Sequence, residues 1–148
     1  MATRSWHQNF KRASKSNRTD ADGTVFDSRG ELLRWKKLQL LQLAGEIRGL
    51  RRQVAYPLVF HDTLGDPRPI LTPTGKTAEY RADFVYERLS ELVEPSAGDD
   101  GLPRWIEVIE DFKGYQSREN QFRIAVFEAI YGKKVTLTGG KNGGKRWG

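Results

Sequence analysis

Apolar positions repeat along this chain with two different periods, and the switches between them delimit six elements. Behind Ser28-Arg29-Gly30-Glu31, which has the serine-to-glutamate spacing of a helix capping box, Leu33, Leu40, Leu43, Ala44 and Ile47 recur three, four or seven residues apart. That spacing predicts a helix to about Gly49 with one buried stripe. Leu32, Trp35, Leu38 and Leu41 broaden the stripe, so this helix is expected to be covered on more than one side. Residues 52–60 read as a first strand, and the loop from His61 to Gly75 that follows holds three prolines and two glycines. From Thr77 to Glu87 the pattern alternates. Ala78, Tyr80, Ala82, Phe84 and Tyr86 are expected on one face of a second strand, and Glu79, Arg81, Asp83, Val85 and Glu87 on the other. After a loop containing Pro95 to Gly101, Arg104 to Lys113 reads as a third strand, stopped by Gly114. Residues 117–131 read as a second helix through Phe122, Val126 and Ile130, and Lys134 to Thr138 as a last strand. Helix, three strands, helix, strand predicts an α/β fold with a mixed sheet and helices on its faces.

Composition limits this to one core. The chain has 148 residues, 37% of them hydrophobic, enough for a single domain. We place that domain at residues 25–138, between a basic, largely flexible arm (1–24) and a Gly/Lys-rich tail (139–148). The net charge of +6 is unevenly spread. Residues 1–18 carry five basic groups and no acid, residues 129–148 carry five more and no acid, and the stretch between them holds fifteen basic and nineteen acidic residues. Basic ends on an acidic body suit a chain that grips a polyanion while concentrating carboxylates elsewhere, although soluble tails alone would look the same. With no cysteine there is no disulfide framework and no thiolate zinc site. The two histidines, His7 and His61, form neither a metal cluster nor a nucleophile triad, so metal chemistry here would have to use carboxylates. No apolar run is long enough to span a membrane.

The candidate chemistry lies at the end of the third strand. In Ile109-Glu110-Asp111-Phe112-Lys113-Gly114, Asp111 and Lys113 share a face, and Asp83 lies on the preceding strand about 5 Å away if the register matches. Two carboxylates can share one Mg²⁺ or Mn²⁺, which acidifies a bound water, while an adjacent ammonium orients it or stabilises developing charge. Metal-dependent hydrolysis of phosphodiesters needs that combination. Each residue also has a plainer reading: Glu31 as the acid of the capping box, Asp83 with Lys113 as a surface cross-strand ion pair, and Asp111 as a strand end. Arg118 and Arg123, just past the site, are candidate phosphate clamps, as are Lys11, Arg12, Lys15 and Arg18 in the arm and Lys141, Lys145 and Arg146 in the tail. Tyr115 and Ser117 either face nucleic acid or simply begin the helix. Trp35 and Trp105 are expected in the core. Trp6 and Trp147 lie in the basic ends, where they suit base stacking or docking on another subunit.

Glu31, Asp83 and Asp111-Phe112-Lys113, in this order of elements, resemble the PD-(D/E)xK (restriction-endonuclease-like) nuclease superfamily. Residues 22–31, Ala82-Asp83-Phe84-Val85-Tyr86 and Glu110-Asp111-Phe112-Lys113-Gly114 resemble more closely a group of short phage and prophage endonuclease-like proteins near the Holliday-junction resolvases. The resemblance spans about residues 20–138. It implies a helix, three-strand, helix, strand core with Asp83 and Asp111 as metal ligands, Lys113 as the catalytic lysine and Glu31 as an auxiliary acid. It further implies a Mg²⁺- or Mn²⁺-dependent endodeoxyribonuclease in the host cytoplasm, acting on DNA, with branched or junction DNA as the expected substrate. A homodimer is expected, because resolving a junction takes two sites. The chain departs from the pattern in two respects: Ala82 stands where the superfamily name places proline, and the second helix has Gln121, Arg123 and Ala125 where relatives tend to carry lysines. The competing expectation is a non-catalytic nucleic-acid-binding or structural phage protein on the same fold.

Overall fold

The computed structural model describes residues 14–91, 101–113 and 117–139. Trp6, His7, Lys11, Arg12, Gly114, Tyr115, Gln116, Lys141, Lys145, Arg146 and Trp147 lie outside the described residues. Two helices, α1 (Arg29–Leu43) and α2 (Arg118–Tyr131), and six strands are formed: β1 (Ile47–Pro57), β2 (Val59–His61), β3 (Pro67–Pro69), β4 (Glu79–Leu89), β5 (Trp105–Phe112) and β6 (Val135–Thr138). Four strands make one sheet in the order β1-β4-β5-β6. Its first two pairings are antiparallel and its last is parallel, so the sheet is mixed and the fold is α/β. The parallel pair exists because α2 carries the chain from β5 back to the start of β6, as a parallel connection must. Strands β2 and β3 form a separate small hairpin: β2 takes the last residues of the expected first strand, and β3 lies in the stretch expected as a loop.

Local signals set the helix ends. Ser28 caps α1, its hydroxyl accepting from the Glu31 amide at 3.0 Å, and Ser117 caps α2 by accepting from the Asn120 amide at 3.1 Å. Gly132, at φ +64, closes α2 in the left-handed conformation that glycine adopts without penalty. At the end of α1 the chain turns through Gly45, at φ +77. The helix therefore stops at Leu43, not near Gly49, and Ile47 opens β1 opposite Arg88. A bulge between Arg48 and Arg51 absorbs the change of register.

Each face of the sheet carries a core cluster. On the α1 side Phe26, Leu32, Leu38, Ile47, Phe84, Tyr86 and Val108 pack together, with Trp35 stacked on Phe84 at 5.9 Å. On the α2 side the cluster is Leu58, Tyr80, Ala82, Val85, Ile109 and Phe127. The expected leucine stripe is corrected by this packing. Leu33, Leu40 and Leu43 are 55%, 66% and 85% exposed, and it is Leu32, Leu38 and Glu31 that α1 buries. Both stripes are compatible with a 3.6-residue period, and docking on Phe84 and Tyr86 selects between them. Trp105 is likewise not a core residue: it lies half-buried under the Arg48 guanidinium, 4.3 Å from its ring centroid. The strict alternation expected for β4 also fails, because Tyr80 and Ala82 face α2 while Phe84 and Tyr86 face α1. The parity changes across Asp83.

The polar stretch expected as a flexible arm joins the fold by Ser14. A 3-10 turn (Ser16–Arg18) leads into a bridge between Thr19 and Val25, and the Phe26 amide donates to the Arg18 carbonyl at 2.8 Å. Among the described residues no helix is long and apolar enough to cross a membrane.

Candidate metal centre

Asp83 and Asp111 come from neighbouring strands and converge on one amine. Lys113 Nζ lies 3.8 Å from Asp83 Oδ2 and 3.7 Å from Asp111 Oδ1. This is not a surface ion pair, since Asp83 is 4% and Asp111 1% exposed. The β4–β5 ladder ends at the Phe84–Glu110 pair, and just beyond it Asp83 Oδ2 accepts from the Phe112 amide at 2.8 Å. That bond, between a side chain and the neighbouring strand, fixes the carboxylate where the strand changes parity. On the other side of β4, Gln53 lies between the Arg52–Phe84 and Val54–Ala82 pairs, with φ +52. A non-glycine residue held there costs about 1–3 kcal/mol, and such strain clusters at functional sites. Its amide nitrogen donates to Asp83 Oδ1 at 3.2 Å and lies 3.5 Å from Glu31 Oε1, so the strained residue links the two acids.

Glu31 belongs to the helix start and also borders the acidic cluster. Its own amide is bonded to the Ser28 cap, and its Oε2 accepts from the Asp27 amide at 3.2 Å, so it closes the start of α1. Its other oxygen faces Gln53 at the border of the site.

Asp111 is held from the opposite side. Asn120, one turn into α2, donates from Nδ2 to Asp111 Oδ2 at 2.9 Å. Asp111 Oδ1 is buried and receives no hydrogen bond from the described residues. A buried carboxylate oxygen without a donor costs free energy, and a hard cation is the ligand that would satisfy it.

The electrostatics match this shortage of positive charge. Burial, together with the Asp111 carboxylate beside it, pushes Asp83 up to about 7, with Lys113 and the Phe112 amide opposing. Burial and the nearby Asp27 also raise Glu31. Burial works against the Lys113 ammonium, yet the carboxylates of Asp83, Asp111 and Glu31 outweigh it and raise its pKa. Stability should follow from these shifts in metal-free buffer. Between the ordinary carboxylate range and about 7, the folded chain keeps a proton on Asp83 that the unfolded chain has lost, so stability falls as pH rises through that window. Asp83→Asn should flatten the fall, read as urea midpoints taken across it. Equal slopes for the two proteins would contradict the assignment.

The remaining expected site residues are dispersed. Lys15 is exposed, while Arg18 is half-buried and donates to the Phe26 carbonyl. Arg118 is exposed at the start of α2, and Arg123 pairs with Glu119 at 2.7 Å. Gln53 and Asn120 were not anticipated. Asn120 was findable in principle, three residues after the Ser117 cap and so on the first turn facing the end of β5. Gln53 carries no sequence signal.

Among the described residues no three His, Asp or Glu side chains are spaced as a ready-made metal cage. Two carboxylates with one unsatisfied oxygen still fit Mg²⁺, which retains several waters and commonly takes only one or two protein carboxylates. No protein-family model, curated protein or solved structure matches the chain.

Proposed function

We propose that this chain is a metal-dependent endodeoxyribonuclease of the PD-(D/E)xK, restriction-endonuclease-like type, as expected for a phage DNA-processing enzyme. The observation that carries the reading is the convergence of buried Asp83 and Asp111 on the Lys113 ammonium, with Asp111 Oδ1 lacking a donor.

Asp83 and Asp111 would hold Mg²⁺ or Mn²⁺, with Glu31 at the edge of the site. Bound there, the ion supplies Lewis acidity and lowers the pKa of a coordinated water. The chain's own residues prepare the rest. The Phe112 amide and Gln53 fix the Asp83 carboxylate, and Asn120 fixes that of Asp111, so neither must reorganise during the reaction. Lys113 keeps its proton at Nζ and places positive charge where negative charge builds on the phosphoryl oxygens. Branched or junction DNA is the proposed substrate, and two copies of the chain would supply the two incisions a junction needs.

The test is incubation of supercoiled plasmid and of a four-way junction with the protein in Mg²⁺, in Mn²⁺ and in chelator. Cutting in the two metals and none in chelator is the expected result. A protein that binds DNA with a steep salt dependence and cuts neither substrate would support the non-catalytic module instead.

A further inference from the structure

Beside the acidic cluster lies a pocket of about 240 Å³ lined by Val25, Asp27, Glu31, Arg52 and Gln53. It shares Glu31 and Gln53 with the site just described, so whatever occupies it is a neighbour of the proposed metal. Among the described residues that line it, Arg52 is the cation. The guanidinium sits over the Phe26 ring, 4.4 Å from the centroid, and Phe26 is 1% exposed and immobilised in the α1-side core. Arg52 Nε is closed to solvent and finds no hydrogen-bond partner among the described residues. Stacking fixes the plane of the guanidinium, but it satisfies none of the N–H groups.

We infer that Arg52 grips the non-bridging oxygens of the substrate phosphate in this pocket. The inference rests on the nuclease reading. A planar guanidinium already oriented by an aromatic ring presents two parallel donors, the geometry that phosphate oxygens accept. Nε itself is closed even to water, so the outer N–H groups of the guanidinium would be the ones to meet the phosphate. Asp27 and Glu31 in the same pocket would repel an anion that arrived alone. The phosphate is therefore expected to bind with the divalent ion, whose charge offsets theirs. Phosphate binding should accordingly be metal-dependent at this position, and Arg52 should matter for DNA affinity only when the metal is present.

The experiment measures binding of a fluorescent duplex oligonucleotide across ionic strength in Ca²⁺, which supports binding without cutting, and in chelator, alongside plasmid cleavage in Mg²⁺. Arg52→Gln should weaken binding in Ca²⁺ about tenfold and lower the salt slope by about one phosphate contact, while leaving binding in chelator unchanged. Arg52→Lys keeps a cation over Phe26 but loses the fork. It should retain the salt slope and cut about tenfold more slowly, and it carries the comparison if the glutamine variant melts below wild type. If wild type cuts plasmid while Arg52→Gln keeps its affinity and slope, or Arg52→Lys its rate, Arg52 has no such role and the nuclease reading survives. If wild type neither binds nor cuts DNA, both fall.

Discussion

Asp111→Ala is expected to lower plasmid cleavage in Mg²⁺ by about 10³-fold or more while leaving the metal-free protein at least as stable as wild type. The two effects have one cause. Asp111 is 1% exposed, has one oxygen without a donor, and lies beside a second buried carboxylate. Removing it relieves repulsion that the fold otherwise carries, and it removes a ligand the reaction would need. Lys113→Ala should lower cleavage by about 10²- to 10³-fold, the range for losing one group that stabilises transition-state charge. It should also destabilise the metal-free protein, because Asp83 and Asp111 then lose the cation between them. Opposite signs in stability with the same sign in activity would be hard to obtain from a structural ion pair, where losing either partner hurts. Thermal melts in chelator and nicking rates in Mg²⁺, measured on the same preparations, check this. Either variant cutting at the wild-type rate would count against the catalytic assignment.

The largest expected stability effect lies elsewhere, at Glu110. Its side chain is fully buried and is bound by Arg34 through two bonds of 2.7 and 2.8 Å, by the Tyr86 hydroxyl at 2.9 Å and by the Thr138 hydroxyl at 2.7 Å. One carboxylate thus joins α1, β4, β5 and β6. Burial and the adjacent Glu110 push Tyr86 up to about 12, so its hydroxyl stays a donor throughout the physiological range. Arg34→Ala leaves this carboxylate without its counter-charge and should cost about 3–5 kcal/mol. Glu110→Gln keeps the shape and the two bonds accepted by one oxygen, while its NH2 cannot accept the other two; it should still cost less, because no uncompensated charge is left on the buried side chain. The double variant should recover part of the Arg34→Ala loss, since the charge that needed neutralising is gone. Urea unfolding of the four proteins measures the coupling directly. Strictly additive losses would show that Arg34 and Glu110 do not act as a pair.

What could be read from the sequence was what is encoded locally. Ser28 and Ser117 marked two helix starts, and the serine cap found at each is a bond to a residue three positions on. The end of β5 was legible because apolar residues give way to Asp111, Phe112 and Lys113 before a glycine, and this also located half the candidate site. Long-range choices were not legible. Leu33, Leu40 and Leu43 have the same helical spacing as the residues α1 buries, and only contact with Phe84 and Tyr86 separates them. The parity change at Asp83 depends on a bond from the Phe112 amide and on the positive φ of Gln53, neither of which alters the apolar pattern. Glu110 looked like one of many acids, because its partner is Arg34, far away in sequence.

A crystal soaked in Mn²⁺ and measured at the manganese absorption edge tests the metal centre most directly. The account predicts one strong anomalous peak within bonding distance of Asp83 and Asp111, and none in crystals of Asp111→Ala. Saturating Mn²⁺ that leaves those two carboxylates bare, with Lys113 still between them, would contradict it.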